Sequence, residues 1–187
     1  MKCIDLGAIF YCHIHVPIQA PRVTSKQTNR QLLFSTFAAT LAAALSCAVW
    51  ADFNGKVVGV ADGDTIAVLR ERVQVKVRLV EIDAPEKAQA FGNRSRQALA
   101  ALVHGQEVLV VEKGIDKYGR TLGRVYRGDL DVNAEQVQQG MAWVYRKYSR
   151  DEKLDLLEAE ARAEKRGLWR DPAPVPPWEW RKTRGVI

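Results

Sequence analysis

The sequence predicts an α+β domain built on a five-stranded OB-type antiparallel β-barrel with about three helices. Five short segments rich in valine and other strand-forming residues are separated by turn residues. One helical segment lies between the third and fourth of them, more helices follow the fifth, and no internal repeat is visible, an order that fits a small closed barrel. We expect this domain over residues 52–170, between an N-terminal extension with a signal peptide (1–51) and a C-terminal tail (171–187) rich in proline, tryptophan and basic residues.

The first three predicted strands follow one another closely. Phe53 to Val60 and Thr65 to Leu69 are rich in strand-forming residues, and the turn dipeptide Asp62-Gly63 separates them. Val73 to Ile82 alternates apolar and polar residues, which predicts a half-buried strand with Arg78 on the face that points away from the core.

Two more strands and the helices complete the predicted domain. Residues 95–104 predict a helix with one apolar face, which ends at Gly105. The remaining predicted elements are two strands (107–111 and 122–126), a short helix (134–139) and a long amphipathic helix (151–166). We expect Trp143 in the core and Trp169 beneath the long helix. The tail is predicted to be extended, and it either packs on the domain or touches substrate.

The first 51 residues have the composition of an export signal. Lys26 and Arg30 precede an apolar run over residues 32–45, and a cleavage site with a small residue follows at Ala51. We therefore expect a monomer that is exported to the periplasm or the medium and keeps no stable membrane association after cleavage. The alternative is an uncleaved transmembrane anchor.

The composition of the remaining chain limits its chemistry. All three cysteines and two of the three histidines lie in residues 1–51, so the domain can form neither a disulfide nor a zinc site of Cys and His. His104 is expected at a helix end, and as a catalytic base it would need Ser95 or Ser149. Residues 52–187 carry 24 basic and 21 acidic residues, a net charge of +3 that is compatible with a polyanionic partner but does not establish one.

One stretch of the chain brings carboxylates and a guanidinium together. Its antiparallel arms carry Asp64 and Asp83 toward a common point, with Arg78 and Glu86 beside them. Carboxylate oxygens are ligands for hard divalent cations, and the arginine fork matches two phosphate oxygens. The alternative is a plain hairpin in which Arg78 pairs with Glu81 or Glu86.

Three motifs in a fixed order carry a family resemblance. They are Asp62-Gly63-Asp64-Thr65, then Arg78-Leu79 with Ile82-Asp83 and Pro85-Glu86, then Asp116-Lys117-Tyr118-Gly119-Arg120. On these motifs, residues 53–169 resemble the staphylococcal (thermo)nuclease family, the micrococcal nuclease homologues. The resemblance implies the OB-type barrel and a Ca²⁺-dependent endonuclease that hydrolyses DNA and RNA by in-line water attack and leaves 3′-phosphate ends.

The resemblance also implies a role for each matching residue. Asp64, Asp83 and the backbone carbonyl of Ala84 would ligate Ca²⁺. Glu86 would orient or deprotonate the attacking water, while Arg78 and Arg120 would bind the phosphate and stabilise its charge. Contacts to the nucleotide would come from Lys117, Tyr118, Tyr145 and Tyr148. The alternative function is a non-catalytic OB-fold module that binds single-stranded nucleic acid or protein.

Overall fold

The computed structural model of the protein describes residues 51–185. The predicted signal segment lies outside the described residues, except for Ala51 at its end. The strands are β1 (Phe53–Val60), β2 (Thr65–Arg70), β3 (Val73–Leu79), β4 (Ile82–Asp83), β5 (Glu107–Ile115), β6 (Thr121–Arg127), β7 (Leu130–Asp131) and β8 (Trp143–Val144). The helices are α1 (Gly92–Val103), α2 (Val132–Gln138), α3 (Glu152–Ala163) and α4 (Pro177–Thr183), with a 3₁₀ turn at Gly167–Arg170. Within residues 51–185, no helix is both long and apolar enough to cross a membrane.

Five strands close into a barrel in the order β3-β2-β1-β5-β6, and β6 pairs back onto β3. The four other pairings are antiparallel, whereas β3 and β6 are parallel, with Val77 opposite Thr121 and Arg78 opposite Leu122. A parallel pair requires a long crossover connection, which residues 80–120 provide. The α+β class and the five-stranded OB-type barrel are thus confirmed, and the sheet is mixed rather than purely antiparallel.

The third strand is shorter than predicted. β3 ends at Leu79, and Glu81 has a left-handed backbone with φ of 66°, which redirects the chain. Ile82 and Asp83 then form β4 and pair with β8 in a separate two-stranded sheet. The prediction carried the strand on to Ile82 although the alternation changes here, since Glu81 falls on the apolar face of the strand and Val80 and Ile82 fall on its polar face. The break sets Asp83 on a different sheet from Arg78.

The barrel interior and the inner faces of α1 and α2 form the main core. Its fully buried members include Val57, Ile66, Val68, Val77, Leu99, Val125 and Val137, and burying a side chain of this size contributes about 1.5–3 kcal/mol. A second cluster joins Trp143, Ala161, Leu168 and Trp169, and the rings of the two tryptophans meet edge to face at 4.4 Å. The predictions for both tryptophans are confirmed, and this cluster supports the side of the domain on which the tail packs.

Helix boundaries differ from the prediction where the backbone leaves the right-handed region. α1 begins three residues earlier than predicted, at Gly92. α3 begins after Asp151, whose side chain accepts a hydrogen bond from the amide of Lys153, and it ends at Ala163 before Lys165 adopts a φ of 54°. The predicted extended tail is wrong over residues 177–183, which form α4. Pro177 stands in the first helical turn, where a missing N–H costs no hydrogen bond.

Candidate active site

The turn that precedes β2 is held in place by close packing of Gly63 against Ser95 and Ala84. A Cβ on Gly63 would overlap Ser95 Oγ and would lie 2.6 Å from Ala84 Cβ, so the turn can approach α1 only with glycine at this position. The buried amide of Gln136 donates a 2.7 Å hydrogen bond to the Gly63 carbonyl. These contacts place Asp64 at the edge of the barrel, beside the chain that follows β3.

Two buried aspartates meet one guanidinium at this edge. Asp64 and Asp83 are only 3% and 1% exposed. Asp64 Oδ2 accepts a 2.7 Å hydrogen bond from the amide of Ala84, and its Oδ1 pairs with Arg78 Nη1. The other nitrogen of the fork, Arg78 Nη2, lies 2.7 Å from Asp83 Oδ1. Arg78 therefore bridges the two aspartates, and the plain-hairpin alternative is not adopted, since Glu81 pairs with another arginine.

The donor set at this edge fits a divalent cation that keeps several water ligands. Among residues 51–185, no group of three or more His, Cys, Asp or Glu side chains is arranged to hold a metal ion. The carboxylates of Asp64 and Asp83 do, however, converge on the Arg78 guanidinium. Ala84, next to Asp83, lines the same cavity as Asp64. Two acidic oxygens and a main-chain oxygen are hard ligands of the kind that Ca²⁺ and Mg²⁺ accept.

The loop between β5 and β6 is organised by Asp116. Its Oδ1 accepts hydrogen bonds from the amides of Tyr118 and Arg120, and Gly119 supplies the left-handed backbone, with φ of 76°. The carboxylate also holds the Arg120 guanidinium at 2.7 Å. Burial opposes ionisation of Asp116, but the hydrogen bonds from Arg120 and Tyr118 outweigh it and lower the pKa of this carboxyl. The Arg120 side chain is thus held over the Tyr118 ring, 5.5 Å from its centroid.

One cavity of about 1310 Å³ connects these elements. Nine of the ten residues predicted for the site line it, namely Asp64, Arg78, Ala84, Glu86, Lys117, Tyr118, Arg120, Tyr145 and Tyr148. The tenth, Asp83, is buried behind the wall and reaches the cavity through its ion pairs. Four lysines also line it without an ion pair to any residue in the range 51–185: Lys113, Lys117, Lys147 and Lys182. The cavity therefore presents uncompensated positive charge to an anionic ligand.

The two predicted tyrosines form an aromatic wall. The rings of Tyr145 and Tyr148 meet edge to face at 5.0 Å, and Tyr148 is 65% exposed. On its other side Tyr145 stacks on Trp178 of α4, with ring planes 3° apart and centroids 5.2 Å apart. Lys147 lies over the Tyr148 ring at 5.4 Å. Exposed rings beside cations are the arrangement on which nucleic-acid bases stack.

Arg181, which no sequence motif indicated, enters the cavity from α4. Its Nη1 lies 2.7 Å from Glu86 Oε1 and its Nη2 lies 2.7 Å from Asp83 Oδ2. Burial works against the charged form, but the hydrogen bonds to the two carboxylates raise the pKa of Arg181, which stays cationic. The basic and aromatic composition of the tail was the available signal, but the sequence did not show where the tail packs.

A second missed residue is Arg124, which joins three carboxylates from separate parts of the chain. Its guanidinium contacts Glu81 at 2.6 Å, Asp131 at 2.6 Å and Asp151 at 2.8 Å. Burial alone would lower the pKa of Arg124, but hydrogen bonds to Asp131 and Asp151 raise it. The left-handed residue Glu81 is thereby held in place, and this turn carries β4 with Asp83. Arg124 therefore fixes the backbone beneath the aspartate pair.

Ser95 and His104 take structural positions. Ser95 is fully buried, and its hydroxyl donates to the carbonyl of Met141 at 2.7 Å. His104 follows α1 as its C-cap and donates its backbone N–H to Ala100. Neither forms part of the cavity wall. The chemistry of the cavity is therefore that of carboxylates, guanidinium groups, lysines and tyrosines, as the composition predicted.

A small closed barrel with paired buried aspartates and several arginines around one open cavity defines a site for phosphate-containing ligands. Residues 76–171 match the family described as Staphylococcal nuclease homologue, and the chain belongs to this family. It is 49% identical over 156 residues to a micrococcal nuclease of Shigella flexneri, an alignment that covers 78% of this chain and 90% of that protein.

Two further relatives agree in length and similarity. Protein ParB of Escherichia coli is 52% identical over 144 residues, which cover 71% of this chain and 81% of that protein. An uncharacterized endonuclease of Haemophilus influenzae is 44% identical over 132 residues, which cover 70% of this chain and 74% of that protein. The chain is thus a nuclease, a hydrolase that acts on nucleic acid, and the predictions of the family and of an enzyme are confirmed.

Proposed function

We propose that the protein is a calcium-dependent endonuclease that hydrolyses phosphodiester bonds of DNA and RNA and leaves 3′-phosphate ends. The observation that carries this proposal is the meeting of Arg78, Glu86 and Arg120 in one cavity beside a buried pair of aspartates. An in-line hydrolysis needs a water made nucleophilic and a positive environment for the charge that develops on phosphorus. The cavity contains side chains suited to each of these needs.

The cation would be held by Asp64, Asp83 and the backbone carbonyl of Ala84. When bound, it supplies Lewis-acid stabilisation of the phosphate oxygens. The two carboxylates are already placed around a single positive charge, that of Arg78, so they lie within reach of one ion. Because the third ligand is a main-chain oxygen, the small side chain of Ala84 does not weaken the donor set.

Arg78 and Arg120 bind the scissile phosphate in this proposal. Arg78 lies opposite Leu122 in the parallel pairing of β3 with β6, and Arg120 precedes β6, so both guanidinium groups reach the same cavity. Each fork can donate two hydrogen bonds to the phosphate oxygens, and these bonds strengthen as negative charge builds up.

Glu86 is the general base or the water-orienting group. Its side chain is 42% exposed and lines the cavity, so a water molecule can reach it. Glu86 accepts a proton as the water oxygen attacks phosphorus. The bond from phosphorus to the 5′-oxygen then breaks, the 5′-oxygen takes up a proton from solvent, and the phosphate remains on the 3′-oxygen.

Substrate contacts extend along the aromatic wall. Lys117 and Tyr118 lie beside Arg120, and the exposed ring of Tyr148, with the half-buried ring of Tyr145 against it, offers a stacking surface for a neighbouring base. Stacking does not distinguish bases strongly, which suits an enzyme with little sequence preference.

We also propose that the enzyme acts outside the cytoplasm as a monomer. The support for export is the apolar run of the N-terminal segment with its basic residues and cleavage site, together with a domain that has no cysteine and needs no disulfide. N-terminal sequencing of protein recovered from the periplasm and the medium tests this proposal. We expect a chain that starts at Asp52, whereas a chain that starts at or before Arg30 would overturn the cleavage site.

The catalytic proposal is tested by digestion of plasmid DNA and of a synthetic RNA. We expect cleavage of both with Ca²⁺, none after addition of a chelator, and recovery when Ca²⁺ is restored. The product ends should accept a label at the 3′ hydroxyl only after phosphatase treatment. Cleavage that persists in excess chelator, or 3′-hydroxyl ends before phosphatase, would contradict the proposed chemistry.

A further inference from the structure

The C-terminal segment after residue 171, beyond the end of the family match, reaches the candidate active site. Arg181 of α4 contacts two carboxylates at once, one nitrogen of its fork on Glu86 and the other on Asp83, each at 2.7 Å. These are the proposed water-activating acid and one of the two carboxylates proposed as cation ligands. A residue from the tail thus connects the two parts of the proposed catalytic machinery.

Aromatic packing anchors the helix that carries Arg181. Trp178 stacks on Tyr145 at 5.2 Å and meets the edge of Trp143 at 5.8 Å. Pro177 at the start of α4 is buried. Trp178 and Arg181 stand at positions i and i+3 of α4, so both lie on the same side of the helix. The anchor therefore determines where the guanidinium stands in the cavity.

A buried glutamine joins the tail to the Glu86 loop at a second point. Gln89 is 8% exposed, and its Oε1 accepts a 3.1 Å hydrogen bond from the amide of Glu86. Its Nε2 donates a 2.6 Å hydrogen bond to the carbonyl of Val175 in the tail. The tail thus holds Glu86 twice, through Gln89 at the backbone and through Arg181 at the carboxylate.

We propose that the C-terminal segment is part of the active site and that Arg181 is a positioning residue, which fixes the Glu86 carboxylate relative to Asp83. A glutamate side chain that is 42% exposed would otherwise sample several rotamers. A bidentate guanidinium selects one of them, and small displacements of a reacting group are known to reduce rates strongly. This inference rests on the proposed function, since it assigns to Arg181 an effect that passes through Glu86.

The test measures kcat and KM on single-stranded DNA for Arg181→Ala, Arg181→Lys, Glu86→Gln and the double variant Arg181→Ala/Glu86→Gln. The matched control is Arg184→Ala, which removes an exposed arginine at the end of the same helix that rests on the ring of Trp180 and does not line the cavity. We expect Arg181→Ala to lower kcat by about 10- to 100-fold with little change in KM, the usual effect of losing a residue that orients a catalytic group. Arg181→Lys should recover part of the loss because it keeps the charge but cannot span both acids.

The double variant separates positioning from direct action on the phosphate. If Arg181 acts through Glu86, the double variant is no slower than Glu86→Gln alone. If the two losses multiply, Arg181 acts independently and the inference fails. A rise in kcat on removing Arg181 would likewise overturn it, since the helix would then obstruct the cavity.

A spectroscopic measurement and a comparison of the kcat values of the variants keep the outcomes distinct. Near-ultraviolet circular dichroism reports the stacking of Trp178 on Tyr145, and an unchanged spectrum in Arg181→Ala shows that α4 is still docked. If the spectrum changes, the decision rests on Arg181→Lys, whose kcat must then lie below that of the wild type. Normal kcat in Glu86→Gln would refute the proposed role of Glu86 itself, whereas normal kcat in Arg181→Ala and Arg181→Lys with a slow Glu86→Gln refutes only the inference about the tail.

Discussion

Replacing Arg78 by methionine should destabilise the protein in the absence of calcium and should make added calcium more stabilising. The variant Arg78→Met keeps an apolar stem but removes the guanidinium that bridges Asp64 and Asp83. Both carboxylates are almost fully buried. Without the bridge, two like charges face each other out of contact with water, which raises the free energy of the folded state.

The size of the effect follows from the contacts that remain. Removing one partner of a buried ion pair typically costs about 3 to 5 kcal/mol. We expect the lower end of this range because Arg181 still binds Asp83 and the amide of Ala84 still donates to Asp64. At roughly 3 °C of Tm for each kcal/mol in a domain of this size, the melting temperature should fall by about 9 °C. A cation at 100 times its Kd would return about 2.7 kcal/mol.

Thermal unfolding followed by circular dichroism, first with chelator and then with increasing Ca²⁺, measures both effects. The control is Arg72→Met, which removes an exposed arginine in the turn between β2 and β3 that forms no ion pair within residues 51–185. We expect the control to melt like the wild type. The reasoning is refuted if Arg78→Met melts at the wild-type temperature in chelator, or if Ca²⁺ raises its Tm no more than that of the wild type.

Three further perturbations test separate parts of the site. The pKa of Asp116 is lowered in the folded state, so the ionised carboxylate stabilises the fold above its ordinary pKa of 3.8, and this contribution is lost as the pH falls through the lowered value. In urea titrations, the variant Asp116→Asn should therefore be less stable than the wild type at pH 7, with a much smaller difference at pH 2. The variant should also have a lower kcat, because the Arg120 side chain is released. Gly63→Ala should lower the free energy of unfolding by about 1 to 3 kcal/mol because the added methyl group overpacks the turn. The control is Gly59→Ala, whose Cβ would meet its nearest neighbour at 3.6 Å and should show no comparable clash. Equal denaturation midpoints for the two variants would contradict the packing argument. Tyr148→Ala should raise KM on single-stranded DNA by about tenfold with kcat unchanged, the loss of one stacked base, and an unchanged KM would remove Tyr148 from the binding surface.

Local patterns in the sequence were sufficient to predict most residues of the candidate site. Asp116 and Gly119 organise their turn through contacts within five residues, which is why a short motif was enough to place Arg120. The alternation in the third strand predicted the outward direction of Arg78 because strand periodicity is a property of the backbone. The predicted end of that strand was wrong, because the left-handed backbone of Glu81 is accompanied by contacts to residues far away in sequence. Arg124 binds its carboxylate, and the amide of Tyr145 donates a hydrogen bond to its carbonyl.

From the sequence alone one could predict the family, most strands and helices of the barrel, and the residues that the three motifs bring to one cavity. These follow from periodicity, turn chemistry and motif spacing, all of which act over short distances along the chain. The fold alone shows that β3 and β6 close the barrel in parallel, and that Arg181 meets Glu86 although the two are 95 residues apart in sequence. Both contacts join parts of the chain that become neighbours only once the core has formed. Arg181 reaches Glu86 because Trp178 of the same helix packs on Tyr145, and no local pattern records which surface a tail will cover.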